Sequence, residues 1–226
     1  LAQFDVVMAR AQPAFARLVQ LGRPIGDIEL VSPLRPYGHT LPANDSDVAD
    51  VTEALRGRPT WLAAHVHPDE VVTVLAAHRQ ALTAAGMGCQ AALDAEENTQ
   101  VLSADAEDEL GLWLRVAPVA FFGGSLGPET PDIDPYTAAA HGTAVVYGPY
   151  VPTHADAYKR LLDGGGARIV NDASSRGLAV SQMIAPDRAA HMAMAGWDIL
   201  TEGAESLDRI VSHVQQHLDR VTEASA

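Results

Sequence analysis

The chain has 226 residues, 47% of them apolar and 19% charged, a mixture that can build a core and does not read as disordered. Its 15 basic against 29 acidic residues give a formal net charge of −14, with Lys159 the one lysine, which argues against nucleic acid or an anionic membrane face as a partner. A single cysteine, Cys89, excludes an internal disulfide, no apolar run approaches the ~18 residues needed to span a bilayer, no signal peptide opens the chain, and the start at Leu1 reads as an internal fragment.

In chain order, Asp5 to Ala9 reads as a short apolar strand. Gln12 to Leu21 carries Phe15, Leu18, Val19 and Leu21 close to helical spacing. Ile28 to Val31 is a second strand, and Val6, Val7, Phe15, Leu18, Ile28 and Leu30 all require burial. The stretch from Ser32 to Ser46 holds Pro33, Pro36, Gly38, Pro42 and Asn44 and reads as a linker or an ordered crossing loop. A helix over Asp47–Leu55, a buried strand over Thr60–Ala64 and a long helix from Pro68 to about Ala84 follow. Cys89–Leu93 is a further strand, and Asp105–Val116 a helix with acidic residues in its first turn, where they suit the dipole.

From there strand and helix alternate: Val119–Phe122, Tyr136–His141, Ala144–Tyr147, Ala155–Leu162 and Arg168–Val170, then helices from about Ser174. Met183, Met192, Met194, Trp197, Leu200, Leu207, Ile210, Val211 and Val214 read as core packing on those last helices. The βαβα order argues a parallel sheet covered on both faces, a three-layer α/β/α fold. Gly164-Gly165-Gly166 is a helix stop and turn, since it precedes a strand and phosphate loops precede helices.

The chemistry concentrates where Phe121-Phe122 breaks into Gly123-Gly124-Ser125-Leu126. Glycine is needed where backbone must approach a ligand closely, and N–H groups at a following helix start favour an anion. Ser125 then reads as a hydroxyl and N–H donor to a phosphate. Gly124-Ser125-Leu126-Gly127 lacks the spacing of a hydrolase nucleophile elbow. His65-Val66-His67, with Asp69 and Glu70 beyond, admits a metal reading if His141 or His154 joins. The competing reading is a solvated loop and helix start, with Pro68 in the first turn and Asp69 and Glu70 complementing the dipole.

Taken with Glu109-Leu110-Gly111-Leu112-Trp113, Asp134-Pro135, Ala138-Ala139-Ala140-His141-Gly142 and Gly148-Pro149, this turn resembles the nucleotide-sugar half of the 3-deoxy-D-manno-octulosonic acid (Kdo) transferases. Those are bacterial enzymes of lipid A assembly with two Rossmann-like domains in the GT-B arrangement. Phe4 to Gly22 is similar to the last strand-helix unit of the family's N-terminal, acceptor-binding domain, and Ile28–Val31 to its final strand. Arg58 to Ala64 with His67-Pro68 and Glu70 is similar to the opening of its second domain, where a Thr-His-Pro-Gly-Glu-like motif follows a strand. Three places depart from the family. Leu93-Asp94-Ala95-Glu96-Glu97 stands where a Pro-Arg-His segment belongs, Thr137 replaces the glutamate expected to grip a ribose hydroxyl, and Tyr150 replaces a histidine.

The resemblance implies residues 1–32 as the tail of the acceptor-binding domain, 33–50 as an interdomain linker, and 51–226 as the C-terminal Rossmann-like donor domain. It implies transfer of Kdo from a CMP-activated donor to a lipid A precursor in lipopolysaccharide synthesis, at the cytoplasmic face of the inner membrane, with no metal and no cofactor. Donor-binding residues would be His67, Glu109, Gly123, Gly124, Ser125, Asp134, Thr137, Gly148 and Pro149. The donor phosphate would rest on Gly123–Ser125 and the cytidine near Glu109 and the Tyr136–Ala139 helix start. The catalytic base would belong to the acceptor domain, so no catalytic residue is assigned and this chain alone should not turn over. Residues 1–32 would add to the domain surface or pair two copies as a homodimer. The alternatives are a diverged binding domain that has lost donor chemistry and a metal-dependent hydrolase using His65 and His67.

Overall fold

Val119–Phe122 (β4) and Ala144–Tyr147 (β5) are apolar runs with no polar face, and both are wholly buried. A strand of that kind needs cover on both sides, and the alternation of its side chains decides what covers each face. On one face Ala120, Phe122, Val145 and Tyr147 pack with Leu114, Ala138–Ala140, Tyr158, Leu161 and Leu200. On the other, Val119, Phe121, Ala144 and Val146 pack with Val170 and Ala189, with Trp61, Val74 and Met192 partly covered beside them.

The computed structural model describes residues 4–31, 40–84, 100–104, 107–128, 131–171, 185–202 and 204–224. It divides into two units, 1–36 with 201–226, and 37–200. The larger unit holds β3 (Leu62–Ala64), β4, β5 and β6 (Ala167–Ile169) in one parallel sheet of order β3-β4-β5-β6. Leu62 pairs with Ala120, Ala120 with Val145 and Val145 with Ala167. Helices α3 (Pro68–Ala84), α4 (Leu110–Val116), α5 (Tyr136–Ala139), α6 (Ala155–Asp163) and α7 (Pro186–Thr201) connect and cover it. The sheet is parallel and β4 is central, so the fold is a Rossmann-like α/β fold. The strand expected at Cys89–Leu93, and the acidic stretch after it, lie outside the described residues. So do Met183 and the helix start expected near Ser174.

Local chemistry sets the element ends. Asn44 caps α2 (Asp45–Leu55), its Oδ1 accepting from the Ser46 N–H at 3.1 Å, and the helix stops at Arg56 and Gly57, both with positive φ. Pro68 opens α3 at the residue the sequence indicated. The helix expected from Asp105 is shorter, a 3₁₀ turn at Glu107–Glu109 leading into α4. Gly166 ends the α6 turn where Gly196 of α7 presses on it, a Cβ there meeting the Gly196 Cα at 2.7 Å. That contact makes Gly164–Gly166 a packing turn.

The smaller unit contains β1 (Val7–Ala9), α1 (Gln12–Gln20), β2 (Ile28–Leu30) and α8 (Ala204–Ala224), with β1 and β2 parallel. Glu29 on β2 meets Arg209 at 4.0 Å and His213 at 3.3 Å. Ala9 and Ile28 are buried and Val7, Phe15 and Leu18 half-buried, whereas Val6 and Leu30 are exposed. The core role expected of the C-terminal apolar stripe is corrected here. Leu200 is buried and Ile210 half-buried, but Met194, Trp197, Leu207, Val211 and Val214 are exposed.

The order of the sheet brings the β5 exit hard against the β4 exit. A Cβ on Gly148 would sit 2.6 Å from the Ser125 carbonyl carbon, a backbone atom that cannot swing aside. Gly148→Ala should therefore cost about 1–3 kcal/mol, lowering Tm by roughly 2–4 °C per kcal/mol for a chain of this size. Gly26→Ala, where a Cβ meets nothing within 4 Å, is the control and should leave thermal unfolding nearly unchanged. Equal melting of the two variants would contradict the packing described.

Candidate functional site

Parallel strands deliver their following loops to one edge of the sheet, so the loops after β3, β4 and β5 gather at the carboxyl ends, where open α/β folds bind ligands. The loop after β3 is short. His65 takes a left-handed backbone, φ 52°, uncommon outside glycine but less so for histidine. His67 then caps α3. Its N–H donates to Glu70 Oε2 at 3.0 Å, and the Asp69 N–H meets His67 Nδ1 at 3.4 Å. This is a capping box with histidine in the hydroxyl's place.

Glu70 is buried, and its carboxylate does more than cap. Oε2 also accepts from the Gly124 N–H at 2.8 Å and Oε1 from the Leu126 N–H at 3.0 Å. The turn after β4 is a concave set of backbone donors, and the anion it holds is the chain's own. Gly123 makes that approach feasible: a Cβ there would lie 2.6 Å from the Val66 Cα and 2.8 Å from Glu70 Oε2. Gly124 has φ 71°, which few side chains tolerate.

The expected role of Ser125 is corrected by the same geometry. Ser125 is fully buried. Its Oγ donates to the Phe122 carbonyl and accepts from the Gly148 N–H at 2.7 Å, while its carbonyl accepts from the Tyr150 N–H at 2.9 Å. The hydroxyl joins β4 to β5 and is spent inside the protein. With the Gly124 and Leu126 N–H groups on Glu70, those two donors are also closed to a phosphate.

His67, Gly123, Gly124, Ser125, Gly148 and the exposed Pro149 thus belong to one cluster across the ends of β3, β4 and β5. Asp134 and Thr137 belong to a second, around α5. Asp134 Oδ1 accepts from the Tyr136 N–H at 2.9 Å, and the Tyr136 hydroxyl accepts from Arg160 at 3.3 Å. Thr137 is half-buried and its carbonyl accepts from His141 Nδ1 at 2.7 Å. That bond leaves His141 Nε2 to accept from the Leu41 N–H at 3.1 Å. Beside it, Gly111 lacks the Cβ that would strike Leu41 and Pro42. Glu109 stands at the head of α4, exposed and accepting from Trp113 Nε1 at 3.3 Å.

The sequence reading did not foresee two acidic residues in these roles. Glu70 was signalled by its position three residues after the cap. Asp132 carried no such signal, because its partners are distant in sequence: it accepts from the Thr153 N–H at 2.9 Å and the His154 N–H at 2.8 Å, at the head of α6. Burial alone would raise its carboxyl, but the Thr153 and His154 hydrogen bonds outweigh that and hold it below the usual carboxylate range. Tyr158 is held well above the usual tyrosine range, first by burial and then by Asp132 and Asp134, so it stays a proton donor to the Ile133 carbonyl at 2.9 Å. Among the described residues no three His, Cys, Asp or Glu side chains converge to hold a metal ion, and no helix is long and apolar enough to cross a membrane.

Two variants probe these carboxylates. Glu70→Ala strands the buried Gly124 N–H and frees the His67 and Leu126 donors, a loss of about 3 kcal/mol. Formate at tens of millimolar should restore part of the lost Tm in that variant and none in the parent. A variant that melts like the parent would remove Glu70 from this role. For Asp132, the folded carboxyl is more acidic than the unfolded one, so its stabilisation is present above the unfolded value near 4 and fades as pH falls through the folded value. Asp132→Asn should be less stable than the parent at pH 7, with the gap closing on acidification. A gap that widens in acid would contradict the account.

No family model matches the sequence. Among solved structures, the chain is similar to the C-terminal CMP-Kdo binding domain of WaaA from Acinetobacter baumannii, at 17% identity and a TM-score of 0.52, over 70% of this chain and 99% of that one. It is also similar to Anabaena Alr3699/HepE in complex with UDP, at 12% identity and a TM-score of 0.50, over 94% of this chain. The chain spans 64% of the length of HepE. At such identities the likeness is one of fold. The parallel sheet, its buried central strands and these neighbours together give the chain a Rossmann-like α/β fold.

Proposed function

We propose that residues 37–200 bind the nucleotide-sugar donor of a glycosyltransferase, and that the donor is CMP-Kdo. The observation that carries this is the gathering of the His65–Glu70 loop, the Gly123–Leu126 turn and the Gly148-Pro149 turn at the carboxyl edge of one parallel sheet. Likeness to the whole of a CMP-Kdo binding domain supports the choice of nucleotide. In this reading the cytidine lies toward Asp134, Thr137 and Glu109, and the phosphate lies outside the Gly123–Ser125 turn, not within it. The acceptor is a lipid A precursor, transfer takes place at the cytoplasmic face of the bacterial inner membrane, and the deprotonating carboxylate comes from elsewhere. Glu70 cannot serve as that base, being bonded to backbone N–H groups.

A second reading, a related domain that no longer takes a donor, is favoured by one feature. Thr137 offers a hydroxyl where the resembled family offers a carboxylate to a ribose diol. A charge-assisted hydrogen bond of that kind is worth roughly 1.5–3 kcal/mol. Under the donor reading CMP binds the parent weakly in calorimetry, and Thr137→Glu tightens it at least tenfold without altering the circular dichroism. Absence of CMP binding in both proteins would leave the scaffold reading as the better account.

A further inference from the structure

We propose that His65 is the residue that contacts the phosphate of the bound nucleotide, and that Glu70 is its positioning residue. The inference rests on the donor reading above and goes beyond it by naming one recognising group, the imidazole of His65.

Three independent observations lead there. The loops leaving β3, β4 and β5 (residues 65–67, 123–135 and 148–154) contain no lysine and no arginine. On these three loops an anion would be met by backbone N–H groups, by hydroxyls or by histidine, while most of the loop after β6, with Arg176, lies outside the described residues. The N–H groups of Gly124 and Leu126 already hold Glu70, the Gly123 N–H is bonded to the Ala64 carbonyl at 2.8 Å and the Gly148 N–H to Ser125. Of the three histidines on these loops, His67 faces Asp69 at 3.5 Å and His154 is the cap residue of α6, half-buried beside the Asp132 carboxylate. His65 alone is both exposed and strained, φ 52°, directly after the buried Ala64.

Strain at a non-glycine residue persists only where the surroundings over-determine it, and it concentrates at functional positions. The determinant here is Glu70. By tying His67, Gly124 and Leu126 to one carboxylate it presses the His65–Val66 backbone onto Gly123. His65 is thereby held in the left-handed conformation with its ring in solvent at the β3–β4 junction. From that placement the imidazole would donate to a phosphate oxygen.

The test is His65→Gly in the full chain. Glycine adopts φ 52° without strain, so the variant should melt about 2–4 °C above the parent. It should bind CMP at least tenfold more weakly, because a phosphate contact is gone. His65→Asn, which tolerates the same backbone and keeps a donor, should fall between. In the parent, the His65 ring protons should shift in NMR on titration with CMP and with inorganic phosphate. Shifts with phosphate but not with CMP would uphold His65 and overturn the CMP reading. CMP binding that leaves the ring unshifted and is unchanged in His65→Gly would uphold the donor reading and overturn this inference. Loss of CMP affinity accompanied by a fall in Tm would also overturn it, since the residue would then be serving stability. No response to either ligand would overturn both.

Discussion

The arrangement of the loops at this domain's carboxyl edge depends on one buried carboxylate. Glu70 leaves the first turn of α3 and accepts from three backbone N–H groups on two loops. A buried charge costs several kcal/mol unless it is paired or fully hydrogen-bonded, and here those N–H groups do the pairing. The same bonds satisfy donors that would otherwise be stranded where β4 ends. Without it, the β3 loop would have no reason to hold His65 in a left-handed backbone, and the Gly123–Leu126 turn would present an empty cluster of N–H groups.

That exchange changes what a glycine-rich turn means. Gly123-Gly124-Ser125 looks like a phosphate cradle because glycine admits close approach and because the donors point outward. Both properties are present, but the approaching group is the protein's own. The glycines serve the close contact of Gly123 with Val66 and of Gly148 with Ser125, and the serine bridges β4 to β5.

Much of the fold was legible in the sequence, for reasons local to each element. Val119–Phe122 and Ala144–Tyr147 are short apolar runs bounded by turn residues, and their ends agree with the structure. Pro68 marks the start of α3 because its missing N–H costs nothing there. The site was less legible. The spacing from His67 to Glu70 signals a cap, but that Glu70 also reaches Gly124 depends on the parallel pairing of β3 with β4 across a long crossover. Ser125 was misread because its partner, Gly148, arrives on the next strand. The apolar stripe of α8 has the spacing of a core helix, yet Leu207, Val211 and Val214 along it are exposed. Periodicity reports which residues share a face and says nothing of which face is covered.

The most direct measurement of the central claim is amide hydrogen exchange at Gly124 and Leu126, with and without saturating inorganic phosphate. If Glu70 is the resident anion, both amides are protected in the free protein, phosphate leaves their exchange and chemical shifts unchanged, and Glu70→Ala exposes both. Rapid exchange of these amides in the parent, slowed by phosphate, would contradict the account and return the turn to the role of a phosphate cradle.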